Sequence, residues 1–249
     1  RAKLASAQAL ALGRMLLLPP DSNTVLKGEL GTQKRVAWSE PAGLDPIKSA
    51  CRRQGVKLND LLVAALTGAL ARFLEEHGRI DGLELRALVP VYVRDASAGD
   101  ELENHFGLVY VSLPIAVRDR GERLRQLHQS FESIKAQPDA VVALGVLGAL
   151  GVASTEIEHI GIQLFTRKAS VMITNVPGPP VEIHLTGSAL SEMLVWAPVS
   201  GQIGVGLSLL SYAGQVRLGV AADARRLPDP RVLVRFYEEE LAALTSTAG

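Results

Sequence analysis

The sequence predicts an α+β domain, and three features carry that prediction. Helical and β-prone segments follow one another as helix, strands, helices, strands, helix. The closing strands are short and closely spaced, and a YAG turn joins the last two of them. Such an order predicts a mixed, mostly antiparallel sheet covered by helices on one face.

Each element has a local reason. Residues 1–43 read as a helix followed by an irregular, partly extended connector that crosses over something, because LLPPDSNTVLKGELGTQ is rich in turn formers and KRVAWSEP alternates only briefly. Leu44 to Arg53 is a helix with basic residues. It leads through Gly55 into LNDLLVAALTGALARFLEEHG, whose apolar residues at 58, 62, 66, 69 and 73 keep helical spacing. That second helix is apolar nearly all round, so it is expected to be buried. LELRALVPVYV and GLVYVSLPIAV read as strands on either side of the polar loop RDASAGDELENHF, and RDRGERLRQLHQSFESIKA is an amphipathic helix. The apolar run Ala140–Ser154 is shorter than the roughly 20 residues a membrane-spanning helix needs, and burial against protein is expected instead. Ile157 to Lys168 continues as helix. ASVMITN, VEIHLTG, LSEMLVWAPV, IGVGLSLLSY and QVRLGVAA read as strands, the last two forming a hairpin in which Gly214 supplies a positive φ. Asp229-Pro230 opens the closing helix as cap and first position.

Composition excludes several classes. The chain has 249 residues, 47% of them hydrophobic, enough to bury a real core. Lys+Arg and Asp+Glu both number 26, so no overall field recruits nucleic acid. The single Cys51 forms no internal disulfide, which fits a reducing compartment or a disulfide-free fold, and it reads as a small helix residue. The histidines at 77, 105, 128, 159 and 184 are scattered, without metal-ligand spacing or an evident general base. GVGLS at Gly204–Ser208 lies inside an alternating strand, so it is no nucleophile elbow, and its glycines read as close-packing positions. No phosphate-binding or dinucleotide fingerprint opens a helix after a strand. The start of the chain lacks the order of regions a signal peptide has.

Three polar groupings are candidates for function. Asn59 and Asp60 begin the buried helix, where one short polar side chain suffices to cap the first turn and the second is spare for a ligand or a neighbouring loop. Glu103-Asn104-His105-Phe106-Gly107 precedes an apolar strand and is also explained by turn chemistry. VMITNVPGPP ends a strand at Thr174-Asn175 and enters a bend in which Pro177, Gly178, Pro179 and Pro180 restrict the backbone. The rigid bend is expected to present Thr174 and Asn175 at one location.

Taken in order, LNDLLVAALTGALARFL, LRALVPVYVR, ENHFGLVYVSLPI, TNVPGPP, LSYAGQVRLGVAAD and the final LPDP helix resemble the C-terminal half of the bacterial wax ester synthase/diacylglycerol acyltransferase family, from about Gly31 to Leu244. The resemblance implies one lobe of a two-lobed fold similar to chloramphenicol acetyltransferase and peptide-synthetase condensation domains, with a substrate tunnel between the lobes. It divides the chain into an interdomain helix and crossover linker at 1–43 and the C-terminal lobe at 44–249. It also implies acyl transfer from acyl-coenzyme A, a co-substrate rather than a tightly bound cofactor, to a fatty alcohol or diacylglycerol. The family's general base is a histidine of a His-His-x-x-x-Asp-Gly motif in the N-terminal lobe. No His-His pair occurs in these residues, and His77-Gly-Arg-Ile-Asp81-Gly82 matches it only in part.

On that resemblance this chain supplies no catalytic base and no metal site. Its substrate-binding candidates are Asn59, Asp60, Asn104, Thr174, Asn175 and Gly178, with Arg94 pairing a carboxylate or capping a strand end. KSACRRQGVK offers Arg52, Arg53 and Lys57, along with Lys48, to the coenzyme A phosphates. The family usually has Gly where this chain has Glu103. The expected partners are the N-terminal lobe and a lipid surface, at the cytoplasmic side of the inner membrane or on lipid inclusions. The other reading is a non-catalytic lipid-binding or scaffold module.

Overall fold

In the computed structural model, which describes residues 10, 12–92, 106–135, 139–151 and 154–246, a seven-stranded sheet is built from β1 (Lys34–Trp38), β2 (Ala42–Gly43), β3 (Leu85–Tyr92), β4 (Phe106–Leu113), β5 (Val171–Pro177), β8 (Val205–Tyr212) and β9 (Gln215–Asp223). The order is β1-β9-β8-β5-β3-β4, with β2 also beside β9. Pairing is antiparallel except on either side of β5, which runs parallel to β3 and to β8. The β8–β9 hairpin turns through Ala213-Gly214, both at positive φ (46° and 79°), the geometry of the favoured two-residue turn.

Six helices flank the sheet in addition to a short helix at residues 12–17 (α1): α2 (Leu44–Gln54), α3 (Leu58–Glu75), α4 (Arg120–Lys135), α5 (Asp139–Gly151), α6 (Thr155–Thr166) and α7 (Arg231–Ser246). Strand alternation sends Ala87, Val109, Val111, Val171 and Ile173 to one face, where α2, α3, α4 and α7 cover them. Helix α3 is the spine of this core. Residues 60 to 71 are buried without a break, and each fully buried leucine there, such as Leu62, Leu66 or Leu70, contributes about 2 kcal/mol.

The opposite face carries Leu88, Leu108, Tyr110 and Met172 and is covered in part by α5, α6 and the segment around Ala197 to Ile203. Helices therefore lie on both faces, which corrects the expectation of one. Of the strand expected at VEIHLTG only β6 (His184–Leu185) forms, paired with β7 (Ser188–Ala189), and LSEMLVWAPV forms none, because that segment packs across the sheet instead of joining it. Val195, for example, accepts a hydrogen bond from Ser208 Oγ through its carbonyl.

Two polar networks tie the layers together. Glu240 of α7 is 3% exposed and receives a bidentate hydrogen bond from Arg120 (3.1 and 2.8 Å) and another from Arg123 (2.5 Å), both on α4. Gly68 of α3 lies against this cluster, and a Cβ there would fall 2.4 Å from Glu240 Oε2. The helices can approach only because position 68 has no side chain. On the other side of the molecule, buried Asp21 accepts hydrogen bonds from the Arg86 amide (3.0 Å) and Ser170 Oγ (2.6 Å), while Arg86 donates to the carbonyls of Pro19 and Pro20. The connector is thus pinned to the start of β3 and β5. Among the described residues no helix is long and apolar enough to cross a membrane.

Candidate functional site

Helix α3 begins at Leu58, with Lys57 in extended backbone as the N-cap. Asn59 and Asp60 are therefore the second and third residues of the first turn, and the expectation that one of them is the N-cap is corrected. Asp60 reaches back so that Oδ2 accepts the Lys57 amide at 3.0 Å, which places a carboxylate at the positive end of the helix. Asp60 is fully buried, its Oδ2 also lies 2.6 Å from His128 Nδ1 on α4, and its Oδ1 is buried with no hydrogen-bond partner among the described residues.

With Asp60 occupied in this way, Asn59 turns toward the sheet, where its Oδ1 accepts a hydrogen bond from Asn175 Nδ2 at 3.1 Å. Residues 116 positions apart thereby meet at the tip of α3. Asn175 stands on the helix-covered face of β5 because it follows Val171 and Ile173 at a spacing of two. The same alternation puts Thr174 on the opposite face with Met172. The sequence expectation placed Asn175 at a strand end and both residues at one location. Instead β5 runs on to Pro177, and the two side chains leave it on opposite sides.

Gly178 has a packing duty. Its amide donates to the Ser211 carbonyl at 2.9 Å, and a Cβ would sit 2.3 Å from that same oxygen. Gly178→Ala is expected to cost about 1–3 kcal/mol by forcing the bend away from β8. Denaturant unfolding checks this, and a loss under about 0.5 kcal/mol would mean that the bend yields freely. Asn104 and Arg94 lie outside the described residues.

The basic residues do not form one cluster. Arg52 bonds Ser49 Oγ within α2 (2.8 Å), Arg53 donates to the Thr245 carbonyl near the end of α7 (3.0 Å), and Lys57 pairs with Glu132 (2.7 Å). They engage three different elements. Burial pushes the Cys51 thiol up, and the Asp60 charge adds to that effect, so Cys51 is a poor nucleophile.

An apolar cavity of about 240 Å³ opens on the second face of the sheet, among Leu88 and Met172 of the strands, Ala143 and Val146 of α5 and Ile162 and Phe165 of α6. Two hydroxyls on its wall are spent internally. Tyr110 Oη donates to the Phe165 carbonyl (3.0 Å) and Thr166 Oγ1 to the Ile162 carbonyl (2.7 Å), which leaves a surface suited to hydrocarbon. The pKa of Tyr110 is raised, chiefly by burial.

His128 is the residue that reading the sequence missed, since the five histidines are scattered along the chain without a pattern. One signal was present. Leu124, Leu127 and Phe131 are the core-facing residues of α4, and position 128 falls on the same helical stripe.

The fold and the meeting of Asn59 with Asn175 can be set beside known proteins. The sequence model of the WS/DGAT C-terminal domain matches residues 102–245, more than half of the chain. The chain belongs to the WS/DGAT C-terminal domain family. Curated relatives of this family member include two Mycobacterium tuberculosis proteins, each named a probable diacylglycerol O-acyltransferase. One is 28% identical over 228 residues, covering 89% of this chain and 49% of the relative. The other is 26% identical over 251 residues, covering 98% and 54%. The chain thus spans about half the length of the curated relatives it matches.

Among solved structures, a wax ester synthase/diacylglycerol acyltransferase from Marinobacter aquaeolei superposes with a TM-score of 0.68 at 23% identity, covering 96% of this chain and 55% of that one. A trichothecene 15-O-acetyltransferase from Fusarium sporotrichioides superposes at 0.67 with 14% identity, covering 95% and 52%. At these identities the likeness is one of fold. The WS/DGAT C-terminal domain is the mixed, mostly antiparallel lobe shared with condensation-type enzymes.

Proposed function

We propose that this chain is the C-terminal half of an acyl-coenzyme A-dependent O-acyltransferase that esterifies a long-chain alcohol or diacylglycerol. The contact between Asn59 and Asn175 carries the reading: it joins two amides at the tip of a buried helix, in a lobe whose family relatives bear acyltransferase names. In the reaction the acceptor oxygen bonds to the thioester carbonyl carbon, the carbon–sulfur bond breaks, and the acceptor's proton ends on the coenzyme A thiol. An N-terminal lobe supplies the base that takes that proton. This lobe supplies neutral donors near the developing oxyanion and walls that exclude water.

Residues 1–43 act as the crossover segment between lobes and 44–249 as the lobe itself. Substrate contacts are assigned to Asn59, Asn175 and Asn104, with Thr174 toward the apolar cavity and Asp60 and Gly178 holding the geometry. Arg52 is assigned to the coenzyme A phosphates, because Arg53 and Lys57 are engaged elsewhere in the chain. The exposed residues Ile157, Ile160 and Leu164 of α6 support contact with a lipid surface.

The complete protein, supplied with a long-chain acyl-coenzyme A and either a fatty alcohol or diacylglycerol, is expected to release coenzyme A and form the matching ester. Ester formation with neither acceptor would leave the lipid-binding or scaffold reading in its place.

A further inference from the structure

The Asp60 carboxylate is expensive as it stands. It is fully buried, and among the described residues one oxygen carries both of its hydrogen bonds and the other has none. A buried carboxylate in this condition needs a reason. As a cap alone it satisfies a single amide, that of Lys57. The group that distinguishes this site from ordinary capping is His128, which approaches from a different helix at 2.6 Å with its side chain 30% exposed. The three groups that share the corner are Lys57, tied to Glu132 on α4, Asp60, and His128 on α4 itself. Helix α4 therefore grips the first turn of α3 twice, once at its N-cap residue and once at its third residue.

The consequence falls on the residue between them. Asn59 lies in the turn that Lys57 and Asp60 close, and its contact with Asn175 is a single 3.1 Å hydrogen bond that tolerates little drift. We propose that His128 is a positioning residue. It holds Asp60, and through Asp60 the first turn of α3, in the orientation that keeps Asn59 against Asn175. Against an ionised Asp60 the contact requires the hydrogen on His128 Nδ1, so what the site requires is a donor at the δ position of residue 128, not an imidazole as such. The proposal rests on the acyl-transfer reading only for the claim that the asparagine pair serves turnover. The brace itself is a property of this chain.

The test compares His128→Ala, His128→Phe and His128→Asn in the complete protein. Asparagine keeps a δ donor, and phenylalanine keeps the ring without one. The first readout uses no substrate: hydrogen–deuterium exchange of the amides of Lys57, Asp60 and Leu61, which are hydrogen-bonded in the closed turn. It is expected to quicken about tenfold in the Ala and Phe variants and to stay within about threefold of wild type in the Asn variant. The second is steady-state acyl transfer, where kcat is expected to fall about tenfold to a hundredfold in Ala and Phe with KM for the acyl donor little changed, and to recover in Asn. If Phe behaves as wild type, if Asn is as impaired as Ala, or if no variant changes the exchange, the brace is overturned. If the exchange follows this pattern while wild type transfers no acyl group, the brace stands and the proposed reaction fails.

Discussion

Glu240→Gln is expected to lower the unfolding free energy by about 3–5 kcal/mol, the loss typical of breaking one side of a buried ion pair. The side chain keeps its size, so no cavity accounts for the effect. What changes is that Arg123, itself 3% exposed, is left as a buried cation beside Arg120 and Arg72 with its principal anion gone. Its remaining hydrogen bonds, to the carbonyls of Ala64 and Val117, hold position but carry no compensating charge. Gly68 packs directly against both Glu240 and Arg123, so no group can fill in from the α3 side.

The pH dependence has a definite sign. Burial alone would raise the Glu240 carboxyl, but the Arg120 hydrogen bonds and the charges of Arg123, Arg120 and Arg72 outweigh it and hold the carboxyl below its usual range. A carboxyl lowered in the folded state contributes stability that is present above its unfolded pKa, about 4.3, and is lost as pH falls through the folded value. The gap in stability between wild type and Glu240→Gln should therefore be full near neutrality and close on acidification below about pH 4. Denaturant melts across that range measure it. A neutral-pH loss under about 1 kcal/mol would show that the arginines find water instead of depending on Glu240.

Asn175→Ala in the complete protein is expected to reduce kcat about a hundredfold, the scale of removing one preorganised donor from an acyl-transfer site, while unfolding at nearly the wild-type midpoint. The residue is half-buried near the end of a strand, outside the apolar core, and among the described residues its side chain bonds Asn59. The informative comparison is the double variant. Since Asn59 and Asn175 bond each other, Asn59→Ala should remove most of the same benefit, and the pair together should cost little more than either alone. Fully additive losses would mean that each asparagine serves a different group. Unchanged turnover in Asn175→Ala would return the residue to a purely structural role at the strand end.

Much of the fold was legible because it depends on local rules. The unbroken apolar character of α3 foretold its burial, Gly214 foretold the hairpin, and Asp229 does cap α7, accepting the Arg231 amide at 3.1 Å. The failures occurred where packing overrode local pattern. Leu190 to Val199 alternates well enough to be a strand, yet it lies across β8 and β9, whose edges are already paired within the sheet. The proline-rich bend does not present Thr174 and Asn175 together, because β5 runs through both and strand alternation sends neighbours to opposite faces.

The sequence by itself determined the helices and most of the strands, that the core is large, and which polar residues interrupt it, because periodicity, turn chemistry and composition act over a few residues. Only the tertiary structure decided that Asn59 meets Asn175, that His128 on a distant helix closes on Asp60, and that Arg52, Arg53 and Lys57 part company. Those outcomes depend on how α3, α4 and the sheet pack, and a hydrogen bond between residues far apart in the chain leaves no trace in local spacing.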